Sequence, residues 1–112
     1  MRRGLEARVA GPYAKLLRAR ARRAGLTVAD QVFGLAWSGA MTPDRVAGLL
    51  RNLPPGRTEI YAHPATASGF AGDAPGYQYA SELAALLTGD ATRAIETESI
   101  QPSSYATWAK AD

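Results

Sequence analysis

The sequence lacks cysteine altogether and has a single histidine, His63. The absence of cysteine excludes a disulfide framework and a thiolate metal site. A catalytic zinc site needs three protein ligands, usually with histidine among them, and no carboxylate stands at a metal-motif spacing from His63. We therefore expect this chain to hold no metal and no other cofactor by itself.

Common motifs of catalysis and targeting are also missing. The sequence has no P-loop, no G-x-G-x-x-G dinucleotide fingerprint and no G-x-S-x-G nucleophile elbow. No apolar run is long enough to span a bilayer, and the basic N-terminus is not followed by the apolar segment of a secretory signal. These absences predict a cytoplasmic protein without a membrane span.

The charge of the chain is unevenly distributed. Residues 1–25 contain eight lysines and arginines against one acid, whereas residues 26–112 contain five bases and nine acids. A basic helix of this kind can bind the phosphates of nucleic acid or of anionic lipid. Because no interleaved aromatics and no nucleic-acid fold signature accompany it, we favour a solvated outer helix face and expect no nucleic-acid partner.

Length and composition predict one small globular domain over residues 1–112, with residues 1–10 disordered or extended. Apolar spacing and turn residues within it predict helices that alternate with short strands, which is typical of an α/β fold with a parallel sheet. We expect four to five helices and two or three parallel strands. The helices are predicted at 11–24, 43–53, 77–87, 89–98 and 106–112, the strands around 27–37, 57–63 and 99–105, and a long loop at 64–76.

His63 is predicted to end the second strand, directly before Pro64 and the loop at 64–76. Active sites of α/β folds lie beyond the carboxyl ends of parallel strands. An imidazole in that position is either a general acid or base, a substrate ligand, or a structural group that bonds to the backbone at the strand end. The pattern alone leaves these alternatives open.

Three further residues are candidates for substrate binding. Trp37 and Tyr61 carry flat aromatic faces that can stack on a sugar ring, although both also suit an ordinary core, Tyr61 more so than Trp37. Asp30 stands within an apolar run, where a buried carboxylate needs a partner unless the residue lies in a loop.

Three stretches, in this order, resemble a known family: LTVADQVFGLAWSGAM, LLRNLPPGRTEIYAHPA and YQYASELAALLTGDATRAIETESIQPSSY. They are similar to the C-terminal half of the YdjC-like carbohydrate deacetylases, and most similar to the HpnK subgroup associated with hopanoid lipid biosynthesis. The resemblance implies half of a distorted β/α barrel, from an enzyme that removes acetyl groups from N-acetylated amino sugars with a divalent metal. The family's metal ligands, an early aspartate and two histidines, have no counterpart in this sequence.

The resemblance also implies roles for single residues. His63 matches the histidine of the family's His-Pro motif, which implies a substrate-facing group that serves as general acid for the leaving amine. Asp30 matches a family aspartate, which implies a substrate-side group or one that supports such a group. Ala65 stands where many members have glycine, a replacement that the HpnK subgroup also shows.

Two functions of different classes follow from these observations. The chain is either the C-terminal segment of a sugar deacetylase, inactive alone, or a freestanding non-catalytic module that binds or self-assembles into a homo-oligomer. The substrate expected of the intact enzyme is an N-acetylated amino sugar or a glycolipid, for example a hopanoid-linked head group.

Overall fold

The computed structural model describes residues 2–112, with side chains described from Gly11 onward. Within this range the chain has an α/β arrangement of five helices and a two-stranded parallel sheet, which confirms the predicted fold class. The elements are α1 (Arg2–Arg23), β1 (Gln31–Phe33), α2 (Pro43–Arg51), β2 (Thr58–Ile60), α3 (Tyr79–Leu87), α4 (Gly89–Thr97) and α5 (Tyr105–Ala111).

The chain divides into two compact units, one of residues 1–29 with 103–112 and the other of residues 30–102. In the first unit, the side chain of Thr27 donates a hydrogen bond to the carboxylate of Asp112 at 3.2 Å. The second unit holds the sheet and helices α2, α3 and α4. The single domain over residues 1–112 that the sequence suggests stays a prediction.

Helix α1 begins at Arg2, whereas the sequence predicted a start near Pro12 and a disordered or extended segment over residues 1–10. Most residues of this segment are good helix formers, and Pro12 lies inside the helix rather than in its first turn. The predicted stop is confirmed, because Gly25 takes a positive φ of 80° directly after the helix. No helix in residues 2–112 has the length and apolar character needed to cross a membrane.

The two strands are shorter than the predicted ranges. They pair in parallel, with Gln31 opposite Thr58 and Phe33 opposite Ile60. After Phe33 the chain turns at Gly34, whose φ is 124° and whose added Cβ would lie 2.5 Å from the carbonyl oxygen of Tyr61. This close approach requires glycine and ends the extended run of β1.

The core of the second unit forms where α2, α3 and α4 meet and Ile60 and Ala62 pack against them. Helix α2 begins at Pro43 as predicted, with Thr42 at the N-cap position but without a capping hydrogen bond to its side chain. The buried core side chains are Met41, Val46, Leu50, Ala85, Ala91 and Ala94. Through Ile60 and Ala62, this packing joins the end of β2 to the helical core.

The third strand predicted at 99–105 is absent from the structure of residues 2–112, and the prediction is wrong there. Pro102 lacks the N–H that a paired strand needs, and Ser104 instead caps α5 by accepting a bond from the Thr107 N–H at 3.2 Å. The predicted helical tail is confirmed as α5.

Candidate functional site

The candidate site lies beyond the carboxyl end of β2. The Tyr61 N–H donates to the Phe33 carbonyl at 3.1 Å and so extends the strand pairing by one bond. His63 follows two residues later, at the strand end where the sequence placed it. The turn after β1, which contains Trp37, leaves the sheet at the same end because the strands are parallel.

The His63 ring stands between two tyrosines. Its centroid lies 5.9 Å from that of Tyr61 and 5.2 Å from that of Tyr77, with the planes at 81° and 69° in edge-to-face contacts. The side chain is 38% exposed, yet its Nδ1 atom is buried and has no hydrogen-bond partner among the described residues. The exposed part of the ring therefore belongs to its other atoms.

Glu82 lies beneath this histidine and is fully buried, with 0% of its side chain exposed. Its Oε1 accepts a hydrogen bond from the His63 backbone N–H at 2.9 Å and lies 3.9 Å from His63 Nδ1. Its Oε2 has no hydrogen-bond partner in the described part of the chain. A buried carboxylate thus meets the backbone and the ring of the only histidine.

Sequence reasoning missed Glu82. In the helix predicted over 77–87 the leucines mark the apparent apolar face, but α3 buries Tyr79, Glu82 and Ala85 and leaves Leu86 and Leu87 exposed. The buried residues are spaced by three, so the acid shares the inward side of the helix with Tyr79. The spacing of three between Tyr79 and Glu82 was the one feature of the sequence that could have indicated the buried acid. The leucines of the same helix suggested a different buried face.

The loop at 64–76 is fixed to the start of α3. The Tyr79 hydroxyl accepts from the Ala74 N–H at 2.7 Å, and the Tyr79 carbonyl accepts from the Ala65 N–H at 3.3 Å. The Phe70 ring packs on the Tyr79 ring with a centroid distance of 4.9 Å. Tyr79 therefore holds both halves of the loop close to His63, two residues before Ala65.

Trp37 is partly exposed in the turn after β1. The guanidinium of Arg45 lies 5.0 Å from the centroid of its ring, and Arg45 also donates to the Ala40 carbonyl at 2.8 Å. One face of the indole is therefore occupied by a cation.

Asp30 lies at the other end of the sheet. Its Oδ2 accepts from the Arg57 N–H at 2.7 Å, and its own N–H donates to the Arg57 carbonyl at 2.8 Å, so the two residues join the amino ends of β1 and β2. The structure brings Tyr61 and His63 together and places Trp37 at their end of the sheet, but it does not bring Asp30 there. The substrate-side role given to Asp30 stays a prediction.

The fold and this arrangement define an α/β protein whose single histidine lies at the carboxyl end of a parallel strand. A family model described as YdjC-like protein matches residues 1–97. The chain therefore belongs to the YdjC-like family, which is related to the carbohydrate deacetylases. Neither the curated proteins nor the solved structures gave a significant match.

The divalent metal that the resemblance implies can be compared with the ligands present. Among the described residues, no group of three or more histidine, aspartate or glutamate side chains lies close enough together to hold a metal ion. His63 and Glu82 alone fall short of the three protein ligands of a catalytic site. The described residues do not fit such a metal.

Proposed function

We propose that this chain is the C-terminal segment of a carbohydrate N-deacetylase, in which His63 protonates the amine that leaves an N-acetylated amino sugar. One observation carries the proposal: in a chain of the YdjC-like family, the only histidine lies beyond a strand end with its ring partly exposed above a buried carboxylate. We further propose membership of the HpnK subgroup, a hopanoid-linked or other glycolipid substrate, and a cytoplasmic location.

The chemistry asked of His63 is proton donation. When the C–N bond of the tetrahedral intermediate breaks, its electron pair goes to nitrogen, and an amine leaves far more readily if that nitrogen takes a proton at the same time. Imidazole changes charge near neutral pH and so can supply this proton and recover it in the next turnover. The exposed part of the His63 ring leaves room for such an approach.

The aromatic surroundings of His63 support a sugar as substrate. The rings of Tyr61 and Tyr77 flank the imidazole, and Trp37 follows the neighbouring strand at the same end of the sheet. Flat aromatic faces pack on the C–H side of a sugar ring while polar groups remain free to bond its hydroxyls. We propose Tyr61 and Trp37 as the stacking residues.

Metal dependence of the intact enzyme and inactivity of this chain alone belong to the same proposal, because the described residues lack a set of three ligands. Purified chain is expected to release no acetate from N-acetylglucosamine conjugates, with or without added divalent cations. A normal enzymatic rate would show that the argument from missing ligands is wrong. Sequencing the coding DNA upstream of Met1 tests the segment itself, since an in-frame continuation with an early aspartate and histidines is expected.

Binding of sugar is tested separately from catalysis by NMR. N-acetylglucosamine is titrated into the isotope-labelled chain, with glucose as the control that lacks the acetamido group. We expect shift changes confined to Trp37, Tyr61, His63 and Tyr77, larger with N-acetylglucosamine than with glucose. No change at these residues, or equal changes with both sugars, contradicts the proposed substrate.

A second candidate function is self-association, favoured by apolar side chains that the second unit leaves exposed. Val32 on β1 is 52% exposed, and Leu35 and Leu87 are each 75% exposed. Parallel sheets are normally covered on both faces, and in residues 2–112 this one has only two strands. Sedimentation over a range of concentrations tests this function: a monomer throughout counts against it, whereas a dimer that Leu87→Lys dissociates supports it.

A further inference from the structure

Glu82 is the one buried charged or polar residue among the described side chains. Removing a carboxylate from water is costly unless hydrogen bonds or an opposite charge compensate for it. Among the described residues, the only hydrogen bond to its side chain comes from the His63 backbone N–H, and Oε2 has none. Because burying this carboxylate costs free energy and it lies next to the only histidine, we look for a role of Glu82 other than packing.

The groups around Glu82 indicate which residue its carboxylate acts on. His63 Nδ1 lies 3.9 Å from Glu82 Oε1, and both Nδ1 and the other carboxylate oxygen are buried without partners in the described part of the chain. The rings around the histidine belong to Tyr61 and Tyr77, and Tyr79 precedes Glu82 by one helical turn. Among the described residues, His63 has the one basic side chain within 4 Å of the Glu82 carboxylate, so the imidazole is its natural partner.

We propose that Glu82 is a positioning residue that holds His63 in the tautomer with its proton on Nδ1, which leaves Nε2 as the nitrogen that exchanges a proton with a ligand. A carboxylate only accepts hydrogen bonds, so a neutral imidazole that faces it must present an N–H. The same logic fixes the histidine of a serine protease triad, where a buried carboxylate orients the ring and sets its tautomer. A shift of about 1 Å between the two groups gives a charge-assisted bond of about 2.8 Å.

The bond from the His63 backbone to Glu82 strengthens this inference. Because Oε1 accepts from the backbone N–H of the same residue, the carboxylate is fixed relative to the start of the histidine side chain. The ring then has only its side-chain torsions with which to reach the carboxylate, and the edge-on contacts of Tyr61 and Tyr77 limit these torsions. The role of Nε2 as the proton donor in catalysis rests on the proposed function. The position of the ring proton on Nδ1 does not depend on that function.

The experiment exploits the single histidine, because ¹⁵N-histidine labelling of the full chain gives one pair of ring nitrogen signals. Spectra are recorded at increasing pH until the two ring nitrogen signals stop changing, so that the neutral ring is observed. We expect a protonated Nδ1 and an unprotonated Nε2. Glu82→Leu removes the oxygen that faces Nδ1, so the preference for a proton on Nδ1 is expected to be lost. Glu96→Leu, at an exposed acid on α4, is the matched control and should leave both signals unchanged.

The outcomes separate clearly. A wild-type spectrum with the proton on Nε2, or a Glu82→Leu spectrum identical to wild type in a folded protein, overturns the proposal. The wild-type spectrum needs no variant, so it decides the matter even if Glu82→Leu fails to fold. Because neither spectrum requires sugar, a failed sugar titration with the expected tautomer refutes the proposed substrate alone.

Discussion

Gly39 lies directly against the ring of Tyr77, and the Tyr77 ring in turn contacts the ring of His63. A Cβ added at Gly39 would lie 2.9 Å from the Tyr77 Cε1 atom and closer still to other ring atoms, and its φ of 80° already disfavours any residue with a side chain. The Gly39 carbonyl accepts from the Gln78 N–H at 2.7 Å, so the same residue also joins the turn after β1 to the start of α3.

Replacement of Gly39 by alanine is therefore expected to destabilise the second unit and to disturb the site. The Tyr77 ring cannot move away freely, because it contacts the His63 ring at 5.2 Å and the Tyr79 ring at 5.7 Å. Overpacking of this kind costs about 1–3 kcal/mol, in addition to the cost of the backbone conformation. Urea denaturation measures the loss, and the His63 ring signals report the displaced Tyr77.

Gly76→Ala is the matched control for this prediction. Gly76 has nearly the same φ, 79°, but nothing lies within 4 Å of an added Cβ. It should show the backbone cost of about 1–2 kcal/mol alone, without a change at His63. Equal losses from the two variants would mean that the contact between Gly39 and Tyr77 contributes nothing.

Glu82 allows a second prediction, on stability. In Glu82→Ala the buried His63 N–H loses its acceptor, so the free energy of unfolding should fall by about 1–3 kcal/mol. Glu82→Gln retains an acceptor and removes a buried charge, so its loss should be below about 1 kcal/mol. Glu96→Ala on the exposed side of α4 serves as control in the same denaturation series. If both Glu82 variants lose the same free energy, the backbone bond is not what the side chain contributes.

The sequence predicts much of this fold because its local signals agree with its packing. Helix α2 begins at Pro43, as the sequence predicts, and buries Val46 and Leu50, although the side chain of Thr42 at the N-cap position makes no capping hydrogen bond. The position of His63 beyond the carboxyl end of β2 follows from the apolar run that Pro64 interrupts, although the strand itself ends at Ile60. The lengths of both strands were overestimated because the apolar residues around them also occur in turns. At Gly34 the chain turns because the Tyr61 carbonyl lies too close for any side chain, and this contact cannot be read from the sequence.

The site was harder to predict than the fold because its partners are distant in sequence. Glu82 is 19 residues from His63, and nothing local to either residue indicates that they meet. Asp30 was paired with the site through resemblance, whereas its hydrogen bonds join it to Arg57 at the amino ends of the strands. The spacing of residues along the chain predicts contacts within one helix or strand. The contacts of this site form between different elements, so spacing does not predict them.

A third prediction concerns Asp30. Because its carboxylate accepts from the Arg57 N–H, Asp30→Ala should lower the free energy of unfolding by about 0.5–1.5 kcal/mol. Asp30→Asn keeps an acceptor oxygen and should restore most of the loss. The His63 ring signals should not move in either variant, since Asp30 lies at the opposite end of the strand pair. A shifted His63 signal together with unchanged stability would instead favour the substrate-side role.

The last prediction concerns the loop at 64–76, which Tyr79 fastens to α3. Tyr79→Phe removes the hydroxyl that accepts from the Ala74 N–H but keeps the ring that packs on Phe70. Loss of one hydrogen bond of about 1 kcal/mol raises the population of the open loop roughly fivefold. Amide hydrogen exchange at Ala74 and its neighbours should accelerate by that factor, while amides of α2 remain protected.

Tyr13→Phe provides the control for this measurement, because Tyr13 is an exposed tyrosine on α1 in the other unit. It should leave exchange in the loop unchanged. Unaltered exchange at Ala74 in Tyr79→Phe would show that the ring contact with Phe70, rather than the hydroxyl, holds the loop. Phe70→Ala would then be the variant that releases it, since that change removes the ring contact and leaves the hydroxyl bond in place.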